Sequence, residues 1–473
     1  MTLPAELSGI VGADRTETDP AAIGARLRDN SWLSPVLSGY IDTMAGASAG
    51  GSLGVEAIVG PADLGQLAAC VAAAYRHGTP ITMLGAGTSN FGQSIPMQGG
   101  IVIELSRLDG MGDPARAAAA GRITVGAGAL LGRVDAAVRA HGAELPVVTT
   151  TYVASHAAGW VAGGHVGLGS SSWGTIWDGN IAGATVMTCE AEPRLLTLDQ
   201  ESVEPILHAY GTTGIICDVT FRLVPARRWV EMVAVFSGFE DAARFVADLA
   251  DLADLADRER AVRVAAAQEP MLTPAFTPLA GDASSREALA MVIVAAADVE
   301  AVRALAATRG GRIIPWQGLG AARRPTLAYM VYGHRMLWVK KRFGAAAFLH
   351  CYLGEHRPVE QLLEIKERFG DRCLVELKYI RSRWLRERWG QSGDGVIFAP
   401  LVGMVRGRDD LVELLAVCDD IGVSYQNPHT FFLDEQGLFA DPGRLHRFKR
   451  EVDPKGLLNP GKLSDSPATA GAR

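Results

Sequence analysis

The stretch that most constrains the fold of this chain is Pro80–Gly92, PITMLGAGTSNFG, where an apolar run breaks into a glycine-rich loop. The run over 81–84 predicts a β-strand. Gly85 and Gly87 carry no Cβ, so the N–H groups of the loop can turn toward an anion. The loop residues whose polar side chains could complete an anion site are Thr88, Ser89, Asn90 and Gln93. The pattern is typical both of a phosphate-binding loop and of a structural turn.

Two features further along the chain bear on this choice. Pro96 disfavours a helix directly after the loop, whereas a Rossmann dinucleotide site needs a helix N-terminus there. A second stretch, 149–174, is poor in large aliphatic residues and rich in Gly, Ala, Ser and Thr. Its embedded Trp160 and Trp173 argue against disorder, so its composition predicts a ligand bed. Together these features favour a ligand site built from loops.

The composition excludes several classes of protein. The chain has 473 residues, 48% hydrophobic and 21% charged, with a net charge of −7. These values predict two or three globular domains and argue against a nucleic-acid or anionic-membrane surface. Six cysteines without CxxC spacing predict buried thiols in a reducing compartment. Neither a signal-like start nor 18 uninterrupted apolar residues occurs, so we expect a cytoplasmic protein without a membrane partner.

The remaining pattern predicts strands and helices in alternation. Strands are predicted at 55–59, 81–84, 101–105, 123–125, 182–188, 214–224, 229–236, 290–295, 347–352, 374–380, 396–402 and 423–425. Helices are predicted at 63–76, 130–141, 204–210, 239–257, 299–308, 359–369 and 409–420, and a flexible turn at 45–51.

The order of the glycine-bearing segments carries a family resemblance. AIVGP, PITMLGAGTS, ITVGAGALLGRVDAAVRAHG, AGWVAGGHVGLGSSSWG and YGTTGIICDVTFRLVP follow one another over 52–225. This succession resembles the flavin domain of the vanillyl-alcohol oxidase and p-cresol methylhydroxylase (PCMH) superfamily. The tail DPKGLLNPGKL within 450–463 is similar to the segment with which glycolate oxidase subunits and vanillyl-alcohol-type oxidases return to that domain.

The resemblance implies an α+β fold. It consists of a two-subdomain PCMH-type FAD-binding domain with an inserted α+β cap, whose antiparallel sheet forms the substrate domain. The expected boundaries are 1–225 for the FAD-binding domain, 226–440 for the cap and 441–473 for the returning segment.

The resemblance also implies where FAD would bind, because a long dianionic cofactor needs N–H donors along its length and little side-chain bulk. The expected FAD-binding residues are Gly85, Ala86, Gly87, Thr88, Ser89, Asn90, Ser155, His156, Gly159, Gly163, Gly164, Gly169, Ser170, Gly214, Ile215, Ile216, Asn459 and Lys462.

Several relatives attach the flavin covalently through a His in the first loop and a Cys in the second. Thr88 stands at the first position, and 151–157 contains no Cys, so non-covalent FAD is expected. His156 stands where relatives carry a small residue, and it is either a group facing the flavin or a structural histidine. His165 matches a place where relatives tolerate His and is interpreted as structural.

Candidate catalytic residues are expected in the cap. Along 374–380, Glu376, Lys378 and Ile380 share one face, and Tyr379 and Arg381 point the other way. Either face could meet the flavin, and Tyr379 and Arg381 are the more suggestive pair as a proton relay and an anion clamp, although an exposed basic face also explains Arg381.

The segment after the last cap strand supplies the other candidates. His429 is the leading general base, with Tyr425 assisting it, because an imidazole titrates near neutral pH. A loop histidine that caps a turn is the alternative.

The expected function is a FAD-dependent oxidase or dehydrogenase. It would oxidise a small alcohol, hydroxy acid, sugar or amine by hydride transfer to flavin N5, with oxygen or another acceptor. A Gly-Asp-Gly-Asn-x-His stretch, which supplies metal ligands in 2-hydroxy-acid dehydrogenase relatives, does not occur, so no metal is expected. Two alternatives stay open: a flavin-binding protein with non-redox, lyase- or synthase-like chemistry, and a nicotinamide-dependent dehydrogenase.

Overall fold

The computed structural model describes residues 1–27, 34–45, 53–249, 261–279, 281–318, 320, 324–333, 335–354, 357–392 and 396–464. Its strands are β1 Thr16–Glu17, β2 Val55–Val59, β3 Ile81–Leu84, β4 Gly100–Glu104, β5 Arg122–Gly126, β6 Ala143–Glu144, β7 Ile181–Met187, β8 Leu195–Asp199, β9 Ile215–Arg222, β10 Val224–Pro225, β11 Trp229–Phe236, β12 Val262–Gln268, β13 Ala288–Ala295, β14 Arg312–Gln317, β15 Ala346–Leu353, β16 Cys373–Leu374, β17 Glu376–Ile380, β18 Val396–Met404 and β19 Ser424–Gln426. Its α-helices are α1 Leu3–Val11, α2 Pro20–Arg26, α3 Pro35–Ala45, α4 Leu64–His77, α5 Pro114–Ala120, α6 Leu131–Arg139, α7 Ala157–Gly163, α8 Ser170–Trp173, α9 Phe239–Asp248, α10 Val299–Thr308, α11 Arg335–Arg342, α12 Pro358–Phe369, α13 Arg383–Arg388, α14 Arg408–Asp420 and α15 Gly443–Val452.

The strands form three sheets in the N-terminal part, residues 1–225, and one large sheet beyond it. The first sheet has the order β1-β2-β4-β3, with β2, β4 and β3 parallel. The second, β5-β9-β7-β8, is antiparallel, and β6 pairs with β10. Strands β11 to β19 form an antiparallel nine-stranded sheet, here called the cap sheet. The α+β class with an antiparallel cap sheet is therefore confirmed, and the domain boundaries stay a prediction.

Local sequence signals explain the elements that lead into the glycine loop. Asp63 caps α4 by accepting a hydrogen bond from the N–H of Gln66 at 2.8 Å. Gly78 ends the helix in the left-handed conformation at φ 65°, which glycine adopts without strain. Strand β3 then carries the chain through the core and ends at Leu84. The predicted helix is thus confirmed with both boundaries shifted by one residue, and the predicted strand is confirmed with its boundaries unchanged.

The two faces of the cap sheet have different partners. Helices α9, α10, α12 and α14 pack on one face, and Leu377 and Tyr379 lie on that side. The opposite face carries Phe348 and Leu374, which join the core of the N-terminal part. Because neighbouring strand residues alternate in direction, Lys378 points toward the N-terminal part. The topology thus decides which face meets the predicted flavin domain.

Several predicted elements differ from the structure. The helix expected at 204–210 is only a short 3₁₀ turn, Glu204–Ile206, after which His208 and Tyr210 have φ of 54° and 53°. The stretch 149–174 contains α7 and α8. Strands β12 and β14 and helix α11 were not predicted. The helix predicted at 239–257 is described only as α9, and 250–257 and most of the predicted turn at 45–51 lie outside the described residues.

The tail returns to the first sheet. The N–H of Ile81 donates to the carbonyl of Leu457 at 2.7 Å, and the N–H of Asn459 donates to the carbonyl of Ile81 at 2.8 Å. The returning chain therefore lies beside β3, the strand that leads into the glycine loop.

Three features of the described residues bear on function. None of their helices is long and apolar enough to cross a bilayer. None of their His, Cys, Asp and Glu side chains form a group of three or more that could hold a metal ion. The six cysteines are free thiols and all are buried.

Candidate active site

An open cavity with about 1380 Å³ of empty space lies between the N-terminal part and the cap sheet. Most of its lining comes from three segments, 83–94, 155–166 and 210–216, and Tyr332, Gly333 and His350 complete it on the cap side. The glycine-rich stretches that are distant in sequence thus meet around one space.

Many of the predicted FAD-binding residues line this cavity. They are Gly85, Ala86, Gly87, Thr88, Ser89, Asn90, Ser155, His156, Gly159, Gly163, Gly164, Gly214 and Ile216. The loop after β3 leads into strand β4, and the next helix is α5. A Rossmann site, in contrast, has a helix directly after the glycine loop. The cavity therefore has a long wall made of glycine backbone and short polar side chains.

Helix α7 forms the floor beside the glycine loop. A Cβ built on Gly85 would stand 3.8 Å from the Cα of Gly159, so the two segments touch through backbone. A Cβ on Gly159 itself would meet no described atom within 4 Å. Any side chain there would occupy the cavity. The hydroxyls of Thr88 and Ser155 lie 3.0 Å apart and connect the same two segments.

His156 stands at the start of α7 and lines the cavity. Its Nδ1 is buried, and no described residue hydrogen-bonds to it. Burial lowers the pKa of this imidazole below its ordinary value. A neutral ring with an unsatisfied nitrogen in this position suits contact with a bound ligand.

Five predicted FAD-binding residues lie outside the lining: Gly169, Ser170, Ile215, Asn459 and Lys462. Gly169 has φ of 101° and donates its N–H to the carbonyl of Arg263, so it serves a tight turn against β12. Ser170 accepts from the N–H of Arg381 through its carbonyl. Ile215 is fully buried in β9. These three residues therefore lie behind the cavity lining, where they pack or hydrogen-bond to neighbouring segments.

Asn459 and Lys462 support the cavity from the tail. The amide of Asn459 donates to the carbonyls of Gln93 and Tyr210, at 3.0 and 2.6 Å. Lys462 is fully buried and donates to the carbonyl of Gly92 at 2.6 Å. Gln93 and Tyr210 both line the cavity, so the tail fixes two of its walls without contributing to the surface.

The predicted catalytic residues do not lie in the lining. His429 is buried, and its Nε2 donates to the carbonyl of Phe348 at 2.5 Å. Burial lowers the pKa of His429 to about 4. Tyr379 packs on the helix-covered face of the cap sheet. Arg381 contributes its backbone N–H to the junction with α8.

Tyr425 also points away from the cavity. It packs against the helix-covered face, and its hydroxyl donates to the carboxylate of Asp419 at 3.4 Å. Its neighbour in β19, Gln426, is buried on the opposite face. A three-residue strand offers too short an alternation to assign its faces from the sequence.

Three histidines meet where the cap sheet contacts the cavity. The ring of His165 lies 5.1 Å from that of His208 and 5.7 Å from that of His350, centroid to centroid. His165 and His350 line the cavity. Burial lowers the pKa of His208 to about 4 and of His350 to about 3, and it pushes the pKa of His165 well below its ordinary value. All three imidazoles are therefore neutral near neutral pH.

A buried charged cluster stands behind Tyr332. The guanidinium of Arg335 contacts the carboxylate of Glu376, and the Nζ of Lys378 lies 2.8 Å from that carboxylate. Lys378 also lies 4.7 Å from the centroid of the Tyr332 ring. Burial, followed by the charge of Arg335, lowers the pKa of Lys378 well below its ordinary value. Arg335 is held at a pKa of about 9 by burial.

Sequence reasoning missed His208, His350, Gln426 and Arg335 as site residues. His350 is the one histidine in the largely apolar strand AAFLHCYL. A titratable group at the centre of a buried strand was the one signal available. His208 gave no signal, because its position depends on an irregular backbone segment.

A family model described as "FAD binding domain" matches residues 55–196. The cavity suits this cofactor, because a bare-backbone wall and short polar groups face a space that the Gly159 side of α7 leaves open. The chain is a flavoprotein of the PCMH-type FAD-binding fold, and its cofactor is FAD.

The individual proteins that this chain resembles share only a small part of its sequence. "D-lactate dehydrogenase" of Archaeoglobus fulgidus is 26% identical over 203 residues, which are 41% of this chain and 44% of that relative. The matched region thus spans less than half of the relative. Two solved structures of alkyldihydroxyacetonephosphate synthase superpose on 97% of this chain, with TM-scores of 0.68 and 0.67. The superposed region is 84% of the first of those chains and 85% of the second, and the sequence identity is 13% in both cases. This similarity shows the fold.

Proposed function

We propose that this flavoprotein catalyses a two-electron oxidation of a small organic substrate, an alcohol, hydroxy acid, sugar or amine. When bound, FAD supplies a hydride acceptor. One observation carries the proposal: the glycine-lined wall of the cavity faces His350 and Tyr332 of the cap across the same space. The D-lactate dehydrogenase relative supports a dehydrogenase over part of the chain. Membership in the vanillyl-alcohol oxidase subgroup stays a prediction.

The geometry favours a proton acceptor from the histidine cluster over His429. His350 and His165 line the cavity, whereas the Nε2 of His429 is engaged with the Phe348 carbonyl. A neutral imidazole has the lone pair that a general base needs, and positioned bases contribute roughly 10²–10⁴-fold to rate. Tyr332 is a second polar group on the cap side, and burial raises the pKa of its phenol, which keeps it protonated.

Non-covalent attachment of FAD is part of the proposal. Thr88 and Ser155, which stand near the positions of the usual His and Cys anchors, hydrogen-bond to each other. Acid precipitation of the yellow protein should release the flavin into the supernatant. Flavin that stays in the pellet of wild type but not of His156→Ala would identify His156 as a linkage.

Anaerobic reduction tests the oxidation itself. Panels of alcohols, 2-hydroxy acids, sugars and amines are mixed with the oxidised protein, and loss of flavin absorbance is followed by stopped flow. At least one class should bleach the flavin. A protein that photoreduces normally but is bleached by no substrate would favour the lyase- or synthase-like alternative. A purified protein that binds NAD and no flavin would overturn the proposal.

A further inference from the structure

A buried network of side-chain amides and imidazoles joins the cap sheet to the N-terminal part. Its members are His208, Tyr210, His350, Gln426 and Gln436, and all are buried. His350 and Gln426 lie on paired strands, β15 and β19, and His208 belongs to the segment after β8. Because a backbone carbonyl only accepts hydrogen bonds, its contacts fix the direction of each bond along the network.

The first fixed point is the carbonyl of Thr430. The Nε2 of Gln436 lies 3.2 Å from this oxygen and donates to it. The Oε1 of Gln436 therefore faces the other way and accepts from the Nε2 of Gln426 at 2.9 Å. This contact sets the orientation of the Gln426 amide.

The second fixed point is the carbonyl of Gly164. The Nδ1 of His208 lies 3.2 Å from it and must carry the proton. The Nε2 of His208 then bears the lone pair and accepts from the Nε2 of Gln426 at 3.4 Å. Both anchors therefore require the same orientation of Gln426.

The Oε1 atom of Gln426 determines which nitrogen of a neutral His350 carries the proton. The Oε1 of Gln426 lies 3.3 Å from the Nδ1 of His350 and only accepts. The proton of a neutral His350 thus sits on Nδ1, and its lone pair sits on Nε2. His350 is a lining residue of the cavity, and its tautomer is set by two main-chain carbonyls, one acting through His208 and the other through Gln436, both onto Gln426.

We infer that the Nε2 of His350 is the proton acceptor of the proposed oxidation and that Gln426 is the positioning residue that fixes its tautomer. The inference rests on the proposed function. The O–H or N–H bond of the substrate breaks, its electron pair stays on the heteroatom, and the proton bonds to Nε2. Gln426 touches no substrate; it acts through the imidazole.

The charged and titratable neighbours of His350 oppose its protonation. Burial lowers the pKa of His350 most, the hydrogen bond to Gln426 raises it, and Lys378, His208 and His429 lower it further when they are protonated. His165 lies on the cavity side. A carboxylate in place of the Gln426 amide would offset this repulsion. Gln426→Glu should therefore raise the pKa of His350. Gln426→Met adds no charge but removes the acceptor that holds the proton of His350 on Nδ1, so both tautomers of His350 should become populated.

Long-range proton–nitrogen NMR of histidine-labelled protein tests the tautomer directly, with and without FAD. We expect His350, identified by the loss of its signal in His350→Gln, to carry its proton on Nδ1 at neutral pH. Gln426→Met should give a mixed tautomer, and Gln426→Glu should shift the titration of His350 upward. The matched control is Gln391→Met, since Gln391 donates to the Leu353 carbonyl outside the network. A proton on Nε2 in wild type would overturn the inference.

Kinetics supply the second readout. Gln426→Met should slow substrate-driven flavin reduction about ten- to a hundredfold with FAD content unchanged, less than the loss from removing the acceptor in His350→Gln. Gln391→Met should keep the wild-type rate. Unchanged NMR signals and rate in Gln426→Met would refute the positioning role. The NMR result requires no turnover, so the tautomer is tested even if no substrate reduces the flavin and the proposed function fails.

Discussion

Arg335, Glu376 and Lys378 place three charged groups in the interior, each at most 1% exposed. One carboxylate serves two cations, so the cluster depends on Glu376 more than on either partner. Removing one member of a buried ion pair leaves an uncompensated charge, which costs far more than an exposed pair contributes. The cluster also contacts Tyr332 and influences His350, so it links the stability of the cap to the site.

This asymmetry predicts different outcomes for two substitutions. Glu376→Gln should lower the free energy of unfolding by about 3–5 kcal/mol, because both cations lose their counter-charge. Lys378→Met should cost less, since the pair of Arg335 and Glu376 remains. Urea unfolding measures both. Glu413→Gln, which breaks the exposed pair with Arg372, is the control and should shift the midpoint little. Equal losses in the first two variants would contradict this account.

The choice between the two faces of β17 shows what a sequence leaves open at this scale. The alternation placed Glu376 and Lys378 on one side and Tyr379 and Arg381 on the other, and the structure keeps that division within β17, which ends before Arg381. Charged residues on a strand normally indicate solvent. Here they are buried because a second layer of protein covers that face, which depends on contacts distant in sequence.

Helix α7 is the element on which the cofactor site depends most. It lies within a glycine-rich stretch that the sequence presents as a loop, because glycine weakens a helix by about 1 kcal/mol relative to alanine. Tertiary contacts overcome that cost: Ala157 and Val161 are fully buried in the core on one side. The other side is left to Gly159 and to the cavity. Helix α4 could be predicted because its apolar periodicity and its capping residues lie within its own sequence.

Gly159→Leu should therefore give a folded protein that is purified largely without flavin. The added side chain would meet no described atom within 4 Å of its Cβ and would fill the space beside the glycine loop. The matched control is Gly9→Leu in α1, where a Cβ also meets no described atom within 4 Å. The flavin-to-protein absorbance ratio and circular dichroism distinguish the two outcomes. A yellow Gly159→Leu protein would place FAD elsewhere.

The whole molecule joins its two parts through buried imidazoles. His165 and His208 come from the N-terminal part, and His350 and His429 come from the cap and the segment after it. The family resemblance carried by the order of the glycine-bearing segments predicted the fold class, and most of the residues that it implied for FAD line one cavity. The assembly of these four histidines could not be predicted, because each lies in a different sequence context and they meet only after the cap sheet docks.

Acid should weaken the fold of this molecule in a defined window. The folded pKa values of these histidines lie below the ordinary value, about 4 for His208 and His429 and about 3 for His350. The unfolded chain thus binds more protons below pH ~6.5, and stability present above that pH is lost toward pH 4. Each histidine contributes a slope of about 1.4 kcal/mol per pH unit.

Unfolding midpoints in urea across this range measure the slope. His429→Gln should reduce the slope of unfolding free energy against pH by about 1.4 kcal/mol per pH unit, the contribution of one histidine, although His429 lies outside the cavity. A wild-type stability that is flat over the window, or a variant with the wild-type slope, would contradict the argument.

The return of the tail to strand β3 has a consequence for the order in which the protein is made. The side chains of Thr82 and Asn459 are 377 residues apart in the chain and 3.5 Å apart in the fold. Closing a loop of that length costs on the order of 5 kcal/mol in chain entropy. A ribosome therefore releases the glycine loop long before the residues that brace it exist. The cavity therefore lacks two of its supports until Asn459 and Lys462 have been added to the nascent chain.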